Sequence, residues 1–234
     1  MSDFLQLSRN LVRESGTVSN FGSQPAAVTS QVGRNAKMVE WTKNAWCEIQ
    51  AMHESWIFRR KGFTSSLIVS IGEYTAASFS IADHYKWVGG RRESDVFTIY
   101  DPSVGVSDET ALRFMPWAAF KRLYRRGAQV DARPSAWSVD YEGNLCIGPA
   151  PNLAYVFTGE YVRDCQVLAA NADEPICPPD FHMMIVWYAL LYLVEHDEAA
   201  PIDRAAANRK YDTLARAMAN SQLPPIERAG GRLA

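Results

Sequence analysis

The side chains of this 234-residue chain that could ligate a metal or move a proton at neutral pH are four histidines, four cysteines and its carboxylates. Their spacing builds none of the recognisable sites. Cys47, Cys146, Cys165 and Cys177 include no Cys-x-x-Cys pair, so they read as reduced, mostly buried small hydrophobes. Of His53, His84, His182 and His196, only the last two fall in one predicted helix. The 14 residues between them span roughly 21 Å of helix, too far to share an ion. His53-Glu54 has no second histidine one turn on, and the acidic run Glu195-His196-Asp197-Glu198 reads as a solvated helix end. Asp131 has apolar Val130 beside it and basic Arg133 next among the charges, which gives no carboxylate pair. No dinucleotide fingerprint, P-loop, zincin helix or nucleophile elbow occurs. A serine triad has nothing to fix it. The sequence therefore points away from an enzyme, and to no cofactor or metal.

Charge is the other chemistry available. Lys121, Arg122, Arg125 and Arg126 form the densest basic patch, on consecutive turns of a predicted helix. Phosphate backbone, carboxylates of a neighbouring subunit, or water alone would all satisfy it. Arg59-Arg60-Lys61 follows a helical pattern and suits a helix C-terminus. The net charge of −2 and pI near 6.1 give no general attraction for a polyanion.

The elements that would carry these residues follow from hydrophobic period. With 47% hydrophobic and 21% charged residues the chain can bury a core, and no apolar run reaches a membrane span. The N-terminus lacks the basic start and apolar run of a signal peptide, so a soluble protein made in the cytoplasm is expected. Phe4, Leu7 and Leu11 predict a short helix ending at Gly16. Residues 15–34, rich in Ser, Gly, Gln and Thr, read as an arm that needs a partner surface to become ordered. Met38, Trp41, Ala45, Ile49, Met52 and Trp56 predict one long helix over 35–58. Residues 63–71 and 74–81 read as strands, 87–92 as a reversal, and 95–100 as a further strand. The pattern over 108–126 is helical, with Pro116 dividing it.

Residues 134–165 read as an antiparallel meander. Trp137, Val139 and Tyr141 alternate before the turn Glu142-Gly143-Asn144, and Pro149/Pro151 separate a second extended run through Arg163. A strongly apolar helix over 180–196, capped by Asp180, and another over 203–220 complete the chain. The expected class is α+β: a helical body of four to five helices with an inserted antiparallel β-meander region. The expected organisation is an N-terminal helix and flexible arm (1–34), a main domain (35–222) and a flexible tail (223–234).

Certain of these features occur in a familiar order. The long helix ends Trp56-Ile57-Phe58-Arg59-Arg60. Mid-chain comes Arg133, Pro134, Trp137, Ser138, Val139, Asp140, Gly143, Asn144, Leu145, Gly148, Pro149 and Pro151. The strand Thr158–Arg163 follows, then Pro178, Phe181, His182, Ile185, Val186, Ala189 and Leu190. This set resembles the head-to-tail adaptor, or connector, proteins of tailed bacteriophages. The resemblance implies a virion structural protein forming a homo-oligomeric ring, commonly twelve-fold, that joins the portal to a tail or neck protein. DNA would pass through it with only transient contact. It implies no catalytic residue and no membrane. The arm, with Gly16, Asn20, Phe21, Gly22, Gln31 and Arg34, would suit docking, and Lys121–Arg126 an interface or the channel. Alternatives are a tail-completion, terminator or neck protein on the distal side of the junction, and a DNA-binding accessory protein.

Overall fold

The computed structural model describes residues 2–16, 24–89, 96–196 and 204–224. The chain forms two units: a helical one from residues 1–58 and 165–234, and a β unit, 59–164, set between them in sequence. Five helices and mostly antiparallel strands make the fold α+β, as the sequence patterns require.

In the helical unit, α1 (Phe4–Glu14) starts where the Asp3 carboxylate accepts from the Gln6 N–H at 2.7 Å, satisfying one of the free donors of a first turn. Leu7 and Leu11 are fully buried at the predicted spacing. Helix α2 runs Gly33–Ala51, one full turn and more short of the expected end at 58. The reason is Trp56. Rather than extending the helical face, it folds back so that its indole N–H donates to the Ile49 carbonyl at 3.1 Å, one of the acceptors a helix end leaves open. Its buried ring stacks on Phe58 at 5.4 Å, while His53, Glu54 and Ser55 form the exposed reversal.

Helix α4 (His182–His196) follows a 3-10 turn at Pro179–Phe181, with Asp180 exposed inside that turn rather than capping the helix. It packs against α1, α2 and α5 (Arg204–Gln222), which is why it is apolar nearly all round. Met184, Ile185, Val186, Ala189, Leu190 and Leu193 are all buried, the larger ones stabilising by roughly 1.5–3 kcal/mol each before entropy is counted. Of the expected arm, Asn20, Phe21 and Gly22 lie outside the described residues. The part that follows packs on its own unit instead of awaiting a partner. Val28 is buried in the helical core, its N–H donates to Asn171 Oδ1 at 2.8 Å, and Arg9 donates to the Pro25 carbonyl at 3.0 Å.

The β unit has two sheets. In the first, β9 (Val156–Arg163) is central. One edge pairs with β1 (Arg60–Ser66), and the other with β3 (His84–Trp87) and β4 (Thr98–Tyr100), which in turn pairs with β5 (Thr110–Ala111). The second is ordered β2 (Glu73–Tyr74), β8 (Leu145–Gly148), β7 (Ala136–Val139), β6 (Arg113–Phe114), with β6 parallel to β7. Phe63, Tyr74, Phe79, Phe97, Trp137, Leu145, Ile147 and Phe157 pack between the sheets. The other face of β7–β8 is covered by α3 (Trp117–Tyr124), through Phe120 against Ala136 and Cys146. Both faces being covered, β7 and β8 are buried almost without alternation. Gly159 is required by close approach, since a Cβ there would lie 2.2 Å from the Phe97 ring.

Three expectations change here. Residues 108–115 are not helical. Leu112 donates to the Phe97 carbonyl and Arg113 to that of Ser135, placing them in two strands, and Pro116 caps the single helix α3. Residues 74–81 are a two-residue strand followed by a 3-10 turn, because Thr75 and Ser78 form a reciprocal capping box that lowers Phe79 into the core. The meander is a hairpin only, β7–β8. After Pro149 and Pro151 the chain crosses to the other sheet, where β9 pairs with β1 from Arg60 opposite Val162 onward. The reversal read at 87–92 falls largely outside the described residues.

Candidate functional site

The residues of the mid-chain motif are fasteners. Trp137 is fully buried, with Phe97 at 4.5 Å and Phe114 at 4.9 Å, both edge-on. One Asp140 oxygen accepts from the N–H groups of Glu142 and Asn144, each at 2.8 Å, and Gly143 supplies the φ of +83° that closes the turn. The Gly143 carbonyl then receives the Trp87 indole N–H at 2.9 Å. Gly148 lets α3 approach, since a Cβ would lie 2.6 Å from the Tyr124 ring, and the Gly148-Pro149 bond is cis. Pro134 is buried. Arg133 donates to both Asp108 carboxylate oxygens (2.9 and 2.8 Å), to the Asp108 carbonyl (2.8 Å) and to Thr110 Oγ1 (3.0 Å). It thereby ties the loop before β7 to the turn before β5. A backbone N–H from Asp101, then Arg133, hold the Asp108 carboxyl below its usual range.

His182, buried beside half-buried Phe181, is a second fastener. Its Nε2 lies 3.1 Å from the Cys177 carbonyl, and its Nδ1 faces the Ser2 backbone N–H at 3.3 Å and carbonyl at 3.0 Å. The imidazole thus joins three segments of the helical unit. His196 stacks on Trp41 at 5.6 Å, and His53 meets Trp56 edge-on at 4.8 Å. All four cysteines are free thiols.

Among the described residues, one trio has metal-ligand character: Glu73, Asp140 and Cys146, whose ligand atoms lie within 4.8 Å of one another. Its chemistry is that of a compensated network. Arg125 donates to Glu73 at 3.0 Å and to Cys146 Sγ at 3.3 Å, so a cation already neutralises the group. Burial also pushes the Cys146 thiol up in pKa, against the thiolate a metal would need. The other perturbed groups do not converge. Burial, then Asp83 at 2.7 Å, raises Tyr161 to about 12. Burial, then Glu48, raises Tyr188 in the other unit.

Of the basic patch, Arg125 is engaged within the fold by Glu73 and by the Gly72 carbonyl at 3.2 Å. Lys121, Arg122 and Arg126 are exposed on and just beyond α3. Gly16, with φ +67°, ends α1 in solvent; Gln31 is half-buried, and Arg34 stands half-buried in the first turn of α2. These arm residues and the basic patch belong to different units. Sequence reasoning missed the exposed aliphatic loop 67–72, whose apolar run Leu67-Ile68-Val69 reads as a buried strand, and it missed the Arg133–Asp108 tie. No helix among the described residues is long and apolar enough to cross a membrane.

No curated protein matches the chain. The sequence model described as SU10 adaptor protein matches residues 3–232, spanning both units.

Proposed function

The chain belongs to the SU10 adaptor protein family, a phage head-to-tail adaptor family, and from that premise we propose that it forms a homo-oligomeric ring joining the portal to the tail and passing DNA. Membership makes it a virion structural protein that interacts with other phage structural proteins. The ring, its partners and the DNA path are the proposal. The observation that carries it is the match over residues 3–232, which includes the helical unit, the β unit and the segments between them.

The physical chemistry supports the reading. A closed ring needs two different complementary faces on each subunit, and the chain supplies two chemically distinct units, each with its own apolar core. The net charge of −2 suits a channel in which DNA must slide, because strong phosphate neutralisation would hold it in place. The mid-chain motif holds a rigid hairpin, which serves assembly by fixing surfaces. Gel filtration with mass measurement, run with and without purified portal, tests the proposal. A ring that forms in the presence of portal is the expected result. A chain that ignores portal and assembles only on a tail-side protein would make it a neck or terminator protein instead. One that stays monomeric and binds duplex DNA tightly at moderate salt would overturn the adaptor ring.

A further inference from the structure

One end of the β unit carries a surface that the unit's own packing leaves unused. The loop between β1 and β2 buries Leu67 but leaves Ile68 (55%), Val69 (47%) and Ile71 (41%) exposed. The loop is held firmly. The Tyr74 hydroxyl accepts from the Ile68 N–H at 3.0 Å and donates to the Ile68 carbonyl at 3.1 Å. The Ser70 N–H donates to the Pro151 carbonyl at 2.8 Å, and the Ser70 hydroxyl to the Asp131 carboxylate. Polar groups are satisfied inward and aliphatic side chains face water, the reverse of a solvated loop.

The segment after α3 runs beside this loop, fastened to it at two points, Arg125 on Gly72 and Asp131 on Ser70. Between those points lie Arg126 and Val130, the latter 80% exposed. Lys121 precedes Arg125 by one helical turn and so shares its side of α3, and Arg122 stands in the same relation to Arg126. Arg125 is neutralised by Glu73, whereas Lys121, Arg122 and Arg126 meet no carboxylate among the described residues. Three uncompensated cations therefore border four exposed aliphatic side chains.

We propose that this end of the β unit is a docking surface for an acidic, aliphatic segment of another virion protein. Its carboxylates would meet Lys121, Arg122 and Arg126, and its aliphatic side chains would cover Ile68, Val69, Ile71 and Val130. The charge of the surface selects an acidic occupant, and the aliphatic loop selects a protein over duplex DNA. A phosphate backbone offers those four side chains nothing apolar to pack against, while a peptide gains from burial and from charge together. The proposal rests on the adaptor reading for where the partner is found, and adds the partner's chemistry.

The test is photocrosslinking in assembled particles, with a benzophenone side chain at Val69 and, in a separate control, at exposed Val106. From position 69, the crosslinked segment should be rich in Asp, Glu and aliphatic residues. Its yield should fall by about tenfold or more in K121E/R122E/R126E, the loss expected when roughly 1.4 kcal/mol of binding is removed. V69S/I71S, checked for folding by circular dichroism, should lower co-purification of the same protein to a similar degree. Crosslinking to DNA, crosslinking to a basic segment, or a yield unchanged by the charge reversal would each overturn the proposal. So would crosslinking at 106 alone. Particles that lack the protein altogether would remove the adaptor reading itself, and this proposal with it.

Discussion

Trp137 sits where the two sheets of the β unit meet, fully buried, with aromatic edges from Phe97 and Phe114 on either side. Truncating W137A removes that ring from a core that relaxes only partly around the void, and should cost roughly 3–5 kcal/mol. The shift in urea midpoint measures it, and a loss under about 1 kcal/mol would mean that the ring is not buried. Tyr161 gives a prediction in pH. Burial first, then the hydrogen bond to Asp83, raises its hydroxyl to about 12, above the ordinary value of about 10 that it has in the unfolded chain. The folded state therefore holds the proton more tightly than the unfolded state does. The stabilisation is complete below about pH 10 and is lost as pH rises from there through about 12. In Y161F the fall in stability over that alkaline window should be shallower than in the parent, measured by denaturant midpoints at several pH values. Equal slopes would show that Tyr161 ionises as it does in the unfolded chain.

The end of α2 shows how a single aromatic decides an element's length. W56F keeps a ring to pack on Phe58 but removes the indole N–H, so the buried Ile49 carbonyl at the helix end loses its donor. A loss of about 1–3 kcal/mol is expected from an acceptor left unsatisfied, with helical content unchanged by circular dichroism. An unchanged midpoint would mean that water reaches that carbonyl. Trp56 also shows why the boundary was illegible: its spacing from Ile49 and Met52 fits a continuing helix, and the fold-back depends on a hydrogen bond that periodicity does not encode. Leu112 and Met115 mislead in the same way, because a three-residue spacing fits a helix face, and the carbonyls that claim Leu112 and Arg113 as strand residues come from Phe97 and Ser135. Where the determinant is local the reading held. The Leu7/Leu11 face of α1, the all-apolar α4 and the turn from Asp140 to Asn144 are set by residues within a few positions of each other. The candidate surface was legible by half. Its cations are visible as a cluster, but Arg125's engagement by Glu73 and the outward turn of Ile68, Val69 and Ile71 depend on tertiary placement.

Taken whole, the chain is one helical unit interrupted by another fold, and the geometry of the interruption makes a further prediction. The β unit begins and ends side by side. Arg60 pairs with Val162 in the β1–β9 register, and the Arg59 guanidinium donates twice to the Arg163 carbonyl, at 3.1 and 2.8 Å. An insert whose ends meet in one strand pair imposes little loop-closure cost on the fold that receives it. A segment of about a hundred residues is also long enough to bury its own core, here the cluster of Phe97, Trp137, Leu145 and Phe157. Residues 59–164 expressed alone should therefore unfold cooperatively and give dispersed amide resonances. The complementary chain, with 60–163 replaced by a short Gly-Ser linker, should keep the far-ultraviolet signature of α1, α2, α4 and α5. A fragment that is unfolded in isolation would show that the β unit is stable only as part of the whole chain. If both pieces fold, W137A in the full-length protein should lower only the transition that belongs to the β unit, because its effect is confined to a core the helical unit does not share.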